Sequence, residues 1–141
     1  MLRLAEQVFS LDPRLAANSF EICMLENVQV RLMDDARYWW LVLVPEIEGA
    51  VEWHNLDETA RNHLFEVATH AASVLENLAR AEKMNIAAIG NMVRQLHLHV
   101  IARHEGDAAW PRPVWGIGDA LAYEAPKRAS RAQRLQSLLM A

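Results

Sequence analysis

Cysteine is almost missing from this chain of 141 residues, Cys23 being the single one. That excludes an internal disulfide framework and a thiolate metal cluster, and the apolar neighbours of Cys23 mark it as a buried, inert thiol. Long apolar runs are missing too. No stretch approaches the length needed to span a bilayer, and the opening Met-Leu-Arg-Leu-Ala-Glu-Gln lacks the apolar core of a signal peptide. A cytoplasmic protein with no membrane partner is therefore expected. Basic residues are the minority, 14 against 18 acidic ones, for a formal charge of −4. A protein that grips a nucleic-acid backbone is usually basic, so nucleic acid is not an expected partner. A few local groups can still bind a small anion on an acidic protein. The chain shows no internal repeat and no low-complexity tract.

What remains is the composition of an ordinary globular protein, 52% hydrophobic and 23% charged, with length for one domain and not two. Asp12-Pro13 reads as a helix start, cap followed by first helical position, for a short helix to about Ala17. Strands follow at Glu21 to Leu25 and Val28 to Met33, across a tight turn at Glu26-Asn27; the second alternates as a half-buried strand does. Tyr38 to Val44 reads as a more fully buried strand ended by Pro45. Asp57 caps a long helix whose Leu64, Val67, Ala68, Ala71, Val74, Leu75 and Leu78 recur on one face, ending near Lys83. Asn85 to Ile89 is a fourth strand, interrupted by Gly90 and Asn91, and Lys127 to Met140 is a terminal helix after Pro126. Strands, one long helix, then strands define an α+β fold, helix on an antiparallel sheet.

The chemistry concentrates at residues 95 to 101, Gln-Leu-His-Leu-His-Val-Ile. On a strand, side chains alternate between faces, so Gln95, His97 and His99 form one row backed by Leu96, Leu98 and Val100. Two imidazoles held rigidly suit a nucleophile, a phosphate-binding pair or a metal site. Spacing alone leaves catalysis, metal binding and plain surface open. A zinc site needs a third or fourth ligand, and the remaining histidines are His54, His63, His70 and His104. Among the five tryptophans, Trp39 and Trp40 read as core, Trp110 and Trp115 as exposed base-stacking or dimer-contact residues in a proline-stiffened loop. Lys127, Arg128, Arg131 and Arg134 read as a solvated helix face.

This row resembles the signature of the histidine triad (HIT) superfamily, His-φ-His-φ-His-φ-φ with φ apolar, and looks most like its bacterial diadenosine tetraphosphate hydrolase-like branch. The order of meander, long helix, Gly90-Asn91 turn and motif strand resembles the HIT order over roughly residues 20–105. The resemblance implies a single HIT-like domain over 1–141, an antiparallel sheet of about five strands with one long helix, short N- and C-terminal helices, and a C-terminal extension from 106. It further implies a homodimer and a small-molecule nucleotide substrate, a phosphoanhydride or phosphoramidate. His97 would attack the α-phosphorus, and His99 would contact the phosphate and, when protonated, stabilise its charge. Asn91 and the backbone at Gly90 would hold the phosphate, and Asp34 or Asp35, with Asp35 the choice, the ribose. Covalent histidine chemistry requires no cofactor or metal, though a divalent cation can accompany a polyphosphate. Two departures stand out: Gln95 replaces the first triad histidine, and Met92 stands where several members carry Ser or Thr. Both motivate a second reading, a low-turnover nucleotide-binding regulator or sensor. A metal-binding protein is the third.

Overall fold

The computed structural model describes residues 8–141. Helix α1 (Pro13–Asn18) begins as its sequence dictates, with the Asp12 carboxylate accepting the Arg14 N–H and Pro13 in the first turn. Strands β1 (Ser19–Leu25) and β2 (Val28–Met33) are joined by Glu26-Asn27, both at positive φ (40° and 73°), the conformation a two-residue hairpin turn needs. Strand β3 (Trp39–Pro45) follows, and Pro45 is its last residue rather than the residue beyond its end. Helix α2 (Glu58–Ala79) is capped by Asp57, whose Oδ1 accepts the Ala60 N–H at 2.8 Å. Arg80 closes it in the left-handed conformation, φ 50°, with the Ala81 N–H returned to the Glu76 carbonyl.

That closure comes three residues before the expected end near Lys83. Strand β4 therefore occupies Lys83–Ala87, not Asn85 to Ile89. Strand β5 (Leu98–Arg103) and helix α3 (Ala125–Leu139) complete the chain. The five strands lie in the order β1-β2-β3-β5-β4, each neighbouring pair antiparallel, which is the α+β architecture expected. Among the described residues no helix is long and apolar enough to cross a membrane.

Alternation sends the two faces of the sheet into separate cores. Leu41, Leu43, Leu98 and Val100 pack with Leu64, Val67, Ala71 and Leu75 of α2 and with Leu135 and Leu139 of α3. The opposite face carries a second cluster: Leu15, Tyr38, Trp40, Val42, Val44, Ile101, Ala109 and Val114. Because both faces are covered, β2 is not half-buried. Gln29 and Arg31 on its second face are buried as well. The Arg31 guanidinium donates to Ser19 Oγ (2.7 Å), the Ser19 carbonyl (3.0 Å) and Gln29 Oε1 (3.1 Å), and Gln29 donates to Glu46 (2.7 Å). Cys23 is buried, and burial pushes its thiol pKa up, Glu21 adding to the effect.

The basic residues of α3 are not simply solvated. Arg128 lies over the Phe20 ring and Arg131 over the Trp39 ring, at 4.5 and 4.0 Å from the centroids. Long cationic side chains can cover apolar surface in this way.

At the far end of β5, Arg103 is 2% exposed and donates to both Asp107 oxygens (2.7 and 3.0 Å), to Asn85 and to the Arg112 carbonyl. Its guanidinium also lies 5.5 Å from the Trp110 ring, so Trp110 is half-buried rather than a free stacking surface. Burial opposes the charge on Asp107, but Arg103 and the N–H groups of His104, Trp110 and Ala109 outweigh it and hold the pKa down from 3.8 to about 2. A depressed carboxyl pKa stabilises the fold fully above the unfolded value and loses that contribution as pH falls through the folded one. Unfolding measured against pH should therefore show about 2 kcal/mol vanishing between roughly pH 4 and pH 2. Asp107→Asn, already less stable at neutral pH, should lack that component.

Candidate active site

The motif residues do not share one strand. β5 begins at Leu98, so Gln95 and His97 precede it. The physical reason is the loss of a neighbour: β4 ends at Ala87, opposite His99, and the chain then turns at Gly90, leaving residue 97 nothing to pair with on that side. The Leu96 N–H bonds instead to the Ala50 carbonyl (3.0 Å). The Gln95 side chain ties down the N-terminal segment, its Oε1 accepting the Asp12 N–H and its Nε2 donating to the Ser10 carbonyl, both at 2.8 Å, and the residue lines the same cavity as His97.

The Gln95 backbone does something different. Its carbonyl lies 2.7 Å from His97 Nδ1. A carbonyl only accepts, so Nδ1 carries the proton and Nε2 carries the lone pair. The ring is 6% exposed and lines a polar cavity of about 530 Å³ shared with Gly90, Asn91, Arg94, Glu52 and Val51. Gly90 is demanded by close approach: a Cβ there would stand 2.7 Å from the Val93 carbonyl oxygen, with His97 Cε1 just beyond at 3.8 Å. Met92, which stands where several members carry Ser or Thr, is 86% exposed, and its carbonyl accepts from Arg14.

His99 neighbours His97 at 4.9 Å between ring centroids. Its Nδ1 is 2.9 Å from the Trp40 indole N–H, a group that only donates, so this nitrogen is an acceptor. Burial, reinforced by the nearby His97, lowers the His99 pKa from 6.5 to about 4, a backbone contact with Ile89 working the other way. His99 is therefore neutral near pH 7 in this structure, where the sequence suggested a charge-stabilising imidazolium. Trp115 closes the other side, its ring 5.0 Å from His99 and 5.9 Å from Trp40.

Asp35 is not in the His97 cavity. It is 2% exposed, holds Arg37 through both oxygens (3.0 and 2.9 Å) and accepts the Leu121 N–H (3.3 Å). Asp34 accepts the Tyr123 N–H at 2.8 Å. The acidic pair thus fastens the C-terminal segment, beside a second cavity. Of the other four histidines, three bind backbone: His63 reaches the Leu25 and Glu26 carbonyls, His70 that of Leu139, His104 that of Ala79, while His54 lies edge-on to the Trp53 ring at 5.9 Å. Among the described residues no three His, Cys, Asp or Glu side chains converge to hold a metal ion. The structure thus brings His97, His99, Gly90, Asn91 and the Gln95 carbonyl together, and it adds Arg94, Glu52, Trp40 and Trp115. Arg94 was legible in principle, as a cation directly before the motif. The Trp40 hydrogen bond had no sequence signal.

A five-stranded antiparallel sheet carrying α2 on one face, with adjacent histidines at the start of β5, is a HIT-like domain. The HIT domain family profile matches residues 14–106, and the chain belongs to the histidine triad family, whose members generally bind nucleotides. Similar solved structures are a histidine triad protein from Bradyrhizobium japonicum (40% identity, TM-score 0.91, covering 94% of this chain and 98% of that one) and one from Sinorhizobium meliloti (42%, 0.89, 92% and 96%). A third, from Marinobacter aquaeolei, is 38% identical with TM-score 0.92, covering 94% and 97%. No curated protein matches the chain.

Two outcomes test this geometry. Gly90→Ala should drive its Cβ against the Val93 carbonyl, distort the turn beside His97 and lower stability by about 1–3 kcal/mol, as overpacking does, measured by urea unfolding. In a proton NMR titration His99 should stay neutral until pH nears 4; a midpoint near the ordinary 6.5 would show that its ring is not buried against Trp40.

Proposed function

We propose that the protein is a nucleotide hydrolase or nucleotidyl transferase acting on a phosphoanhydride or phosphoramidate of the diadenosine polyphosphate type. This is the activity of the branch it resembles. The observation that supports it most is the 2.7 Å contact between His97 Nδ1 and the Gln95 carbonyl. With Nδ1 committed as donor, the lone pair of the neutral ring falls on Nε2, the nitrogen left to act as nucleophile.

In this reading the Nε2 lone pair forms a bond to the α-phosphorus, and the bond from phosphorus to the leaving group breaks, its electron pair departing with that group. The positive charge left on the ring sits against the Gln95 carbonyl oxygen. Water, or another acceptor, then attacks phosphorus, Nε2 recovers its pair, and the proton passes to solvent. Asn91, the Gly90 backbone and Arg94 hold the phosphate; His99 restrains the His97 ring as a neutral neighbour. No step calls for a metal or another cofactor, and a divalent cation would serve only to neutralise a polyphosphate. The domain would act as a homodimer, with the nucleotide as its small-molecule partner and neither nucleic acid nor membrane involved.

One observation favours the second reading, a low-turnover regulator or sensor. The Gln95 amide is spent on Ser10 and Asp12, so no imidazole stands at the first triad position to assist a leaving group.

Intact-mass measurement after mixing with diadenosine tetraphosphate or an adenosine phosphoramidate tests both. A nucleotidyl adduct mapped to His97 is expected, with turnover falling about 10³-fold or more in His97→Ala; unchanged activity in that variant would sink the proposal. Tight AMP or ADP binding by calorimetry with neither adduct nor turnover would select the sensor. Arg94→Gln should raise KM about tenfold with kcat little changed, the loss of one charge-assisted contact.

A further inference from the structure

Between the end of β4 at Ala87 and the start of β5 at Leu98 the chain belongs to no strand or helix. Yet this stretch carries Gly90, Asn91, Arg94, Gln95 and His97, which line one cavity. A segment without a ladder of its own keeps its shape only through other ties. Among the described residues, one backbone–backbone hydrogen bond outside the sheet reaches it, from Leu96 to Ala50. Three side-chain hydrogen bonds, all at 2.8 Å, join it to residues 10–14. Two are those of the Gln95 amide to Ser10 and Asp12, and the third runs from the Arg14 guanidinium to the Met92 carbonyl.

These bonds form a staple with Asp12 at its centre. The Asp12 N–H meets Gln95 Oε1, and its carboxylate grips Arg14 through Nε (3.2 Å) and Nη2 (3.0 Å). That fork leaves Nη1 to reach Met92. Residues 92 and 95 are thus held from one base, with Val93 and Arg94 between them and Asn91 next to Met92. Hydrogen bonds from Arg14 keep the Asp12 carboxyl below the usual carboxylate range, and His97 adds a smaller lowering. The pair is therefore within electrostatic reach of the ring.

We propose that Arg14 is a positioning residue for phosphate binding. It fixes the Met92 carbonyl, and through it the Gly90–Asn91 turn, against the phosphate that His97 attacks; the inference rests on the nucleotide reading above. Stability does not explain the arrangement. The Arg14 side chain is 60% exposed, and an exposed ion pair adds little to folding. A planar guanidinium bound twice to one carboxylate has little freedom left, which suits it to fixing geometry. Asp12 meets its charge, so Arg14 acts through the turn and not as a phosphate ligand.

Asp12 also caps α1, so the test alters Arg14 in the full chain. Arg14→Ala should leave the urea midpoint nearly unchanged. Calorimetry should show AMP bound about fivefold to tenfold more weakly, the effect of one misplaced hydrogen bond. Adenosine, which has no phosphate, should be affected less than about twofold, as no contact to it is lost. Arg14→Lys, which keeps a donor for the Met92 carbonyl, should recover most of the AMP affinity. In an Asn91→Ala background, Arg14→Ala should cost about twofold or less, because the contact it places is already gone. Equal losses in the two backgrounds would reveal a long-range charge effect and overturn the assignment. So would AMP affinity unchanged in Arg14→Ala, or AMP and adenosine weakened alike. Each of these leaves the His97 reading intact where the nucleotidyl adduct forms. The Arg14–Asn91 coupling without any adduct on His97 would remove the enzymatic reading and keep the positioning role. Wild-type protein that binds no AMP would remove both.

Discussion

A single hydrogen bond, from His97 Nδ1–H to the Gln95 carbonyl, fixes which nitrogen of the ring can act, and much of the surrounding architecture serves to place its two partners. The carbonyl is held because the Gln95 side chain is clamped to Ser10 and Asp12. His97 is held because β5 begins one residue later and pairs on both sides, with β3 and β4. Replacement of the first triad histidine by glutamine leaves this bond untouched, since the acceptor belongs to the backbone. What changes is the side chain, which becomes a tether for the N-terminal segment.

Beyond that bond, the site is organised by desolvation and by ion pairs used as fasteners. His99 is packed against two indoles and a second imidazole, and burial makes its charged form unfavourable. It steadies the neighbouring ring as a neutral group. Asp35 with Arg37, and Asp107 with Arg103, each close a loop onto the second face of the sheet. A buried ion pair gains little net stability over apolar packing, but both carboxylates also accept backbone N–H groups. Each therefore sets the path of the chain as well as neutralising a guanidinium. The outcome is two cavities of contrasting polarity on either side of His99.

Much of the fold was legible because its signals are local. Asp12 and Asp57 cap helices where expected, Glu26-Asn27 makes the hairpin turn, and the apolar spacing of α2 selects the face that packs on the sheet. Errors arose where tertiary pairing decides. Gln95 alternates with His97 and His99 in sequence, yet the ladder stops at Leu98, because strand length depends on the neighbour. Gln29 and Arg31 look solvent-facing until the second face proves to be covered. Asp35 lines the second cavity, and its tie to Leu121, from a segment 86 positions away, had no sequence signal. In the site, His97, Asn91 and Gly90 were legible from the motif, whereas the neutral state of His99 depends on Trp40, 59 positions earlier.

The central claim concerns the tautomer of one imidazole, and long-range nitrogen–proton correlation NMR at neutral pH reads it directly. The predicted spectrum shows His97 with a protonated Nδ1 and a pyridine-like, unprotonated Nε2. A spectrum with the proton on Nε2 would contradict the account, because it would leave that nitrogen without the lone pair that the proposed attack on phosphorus requires.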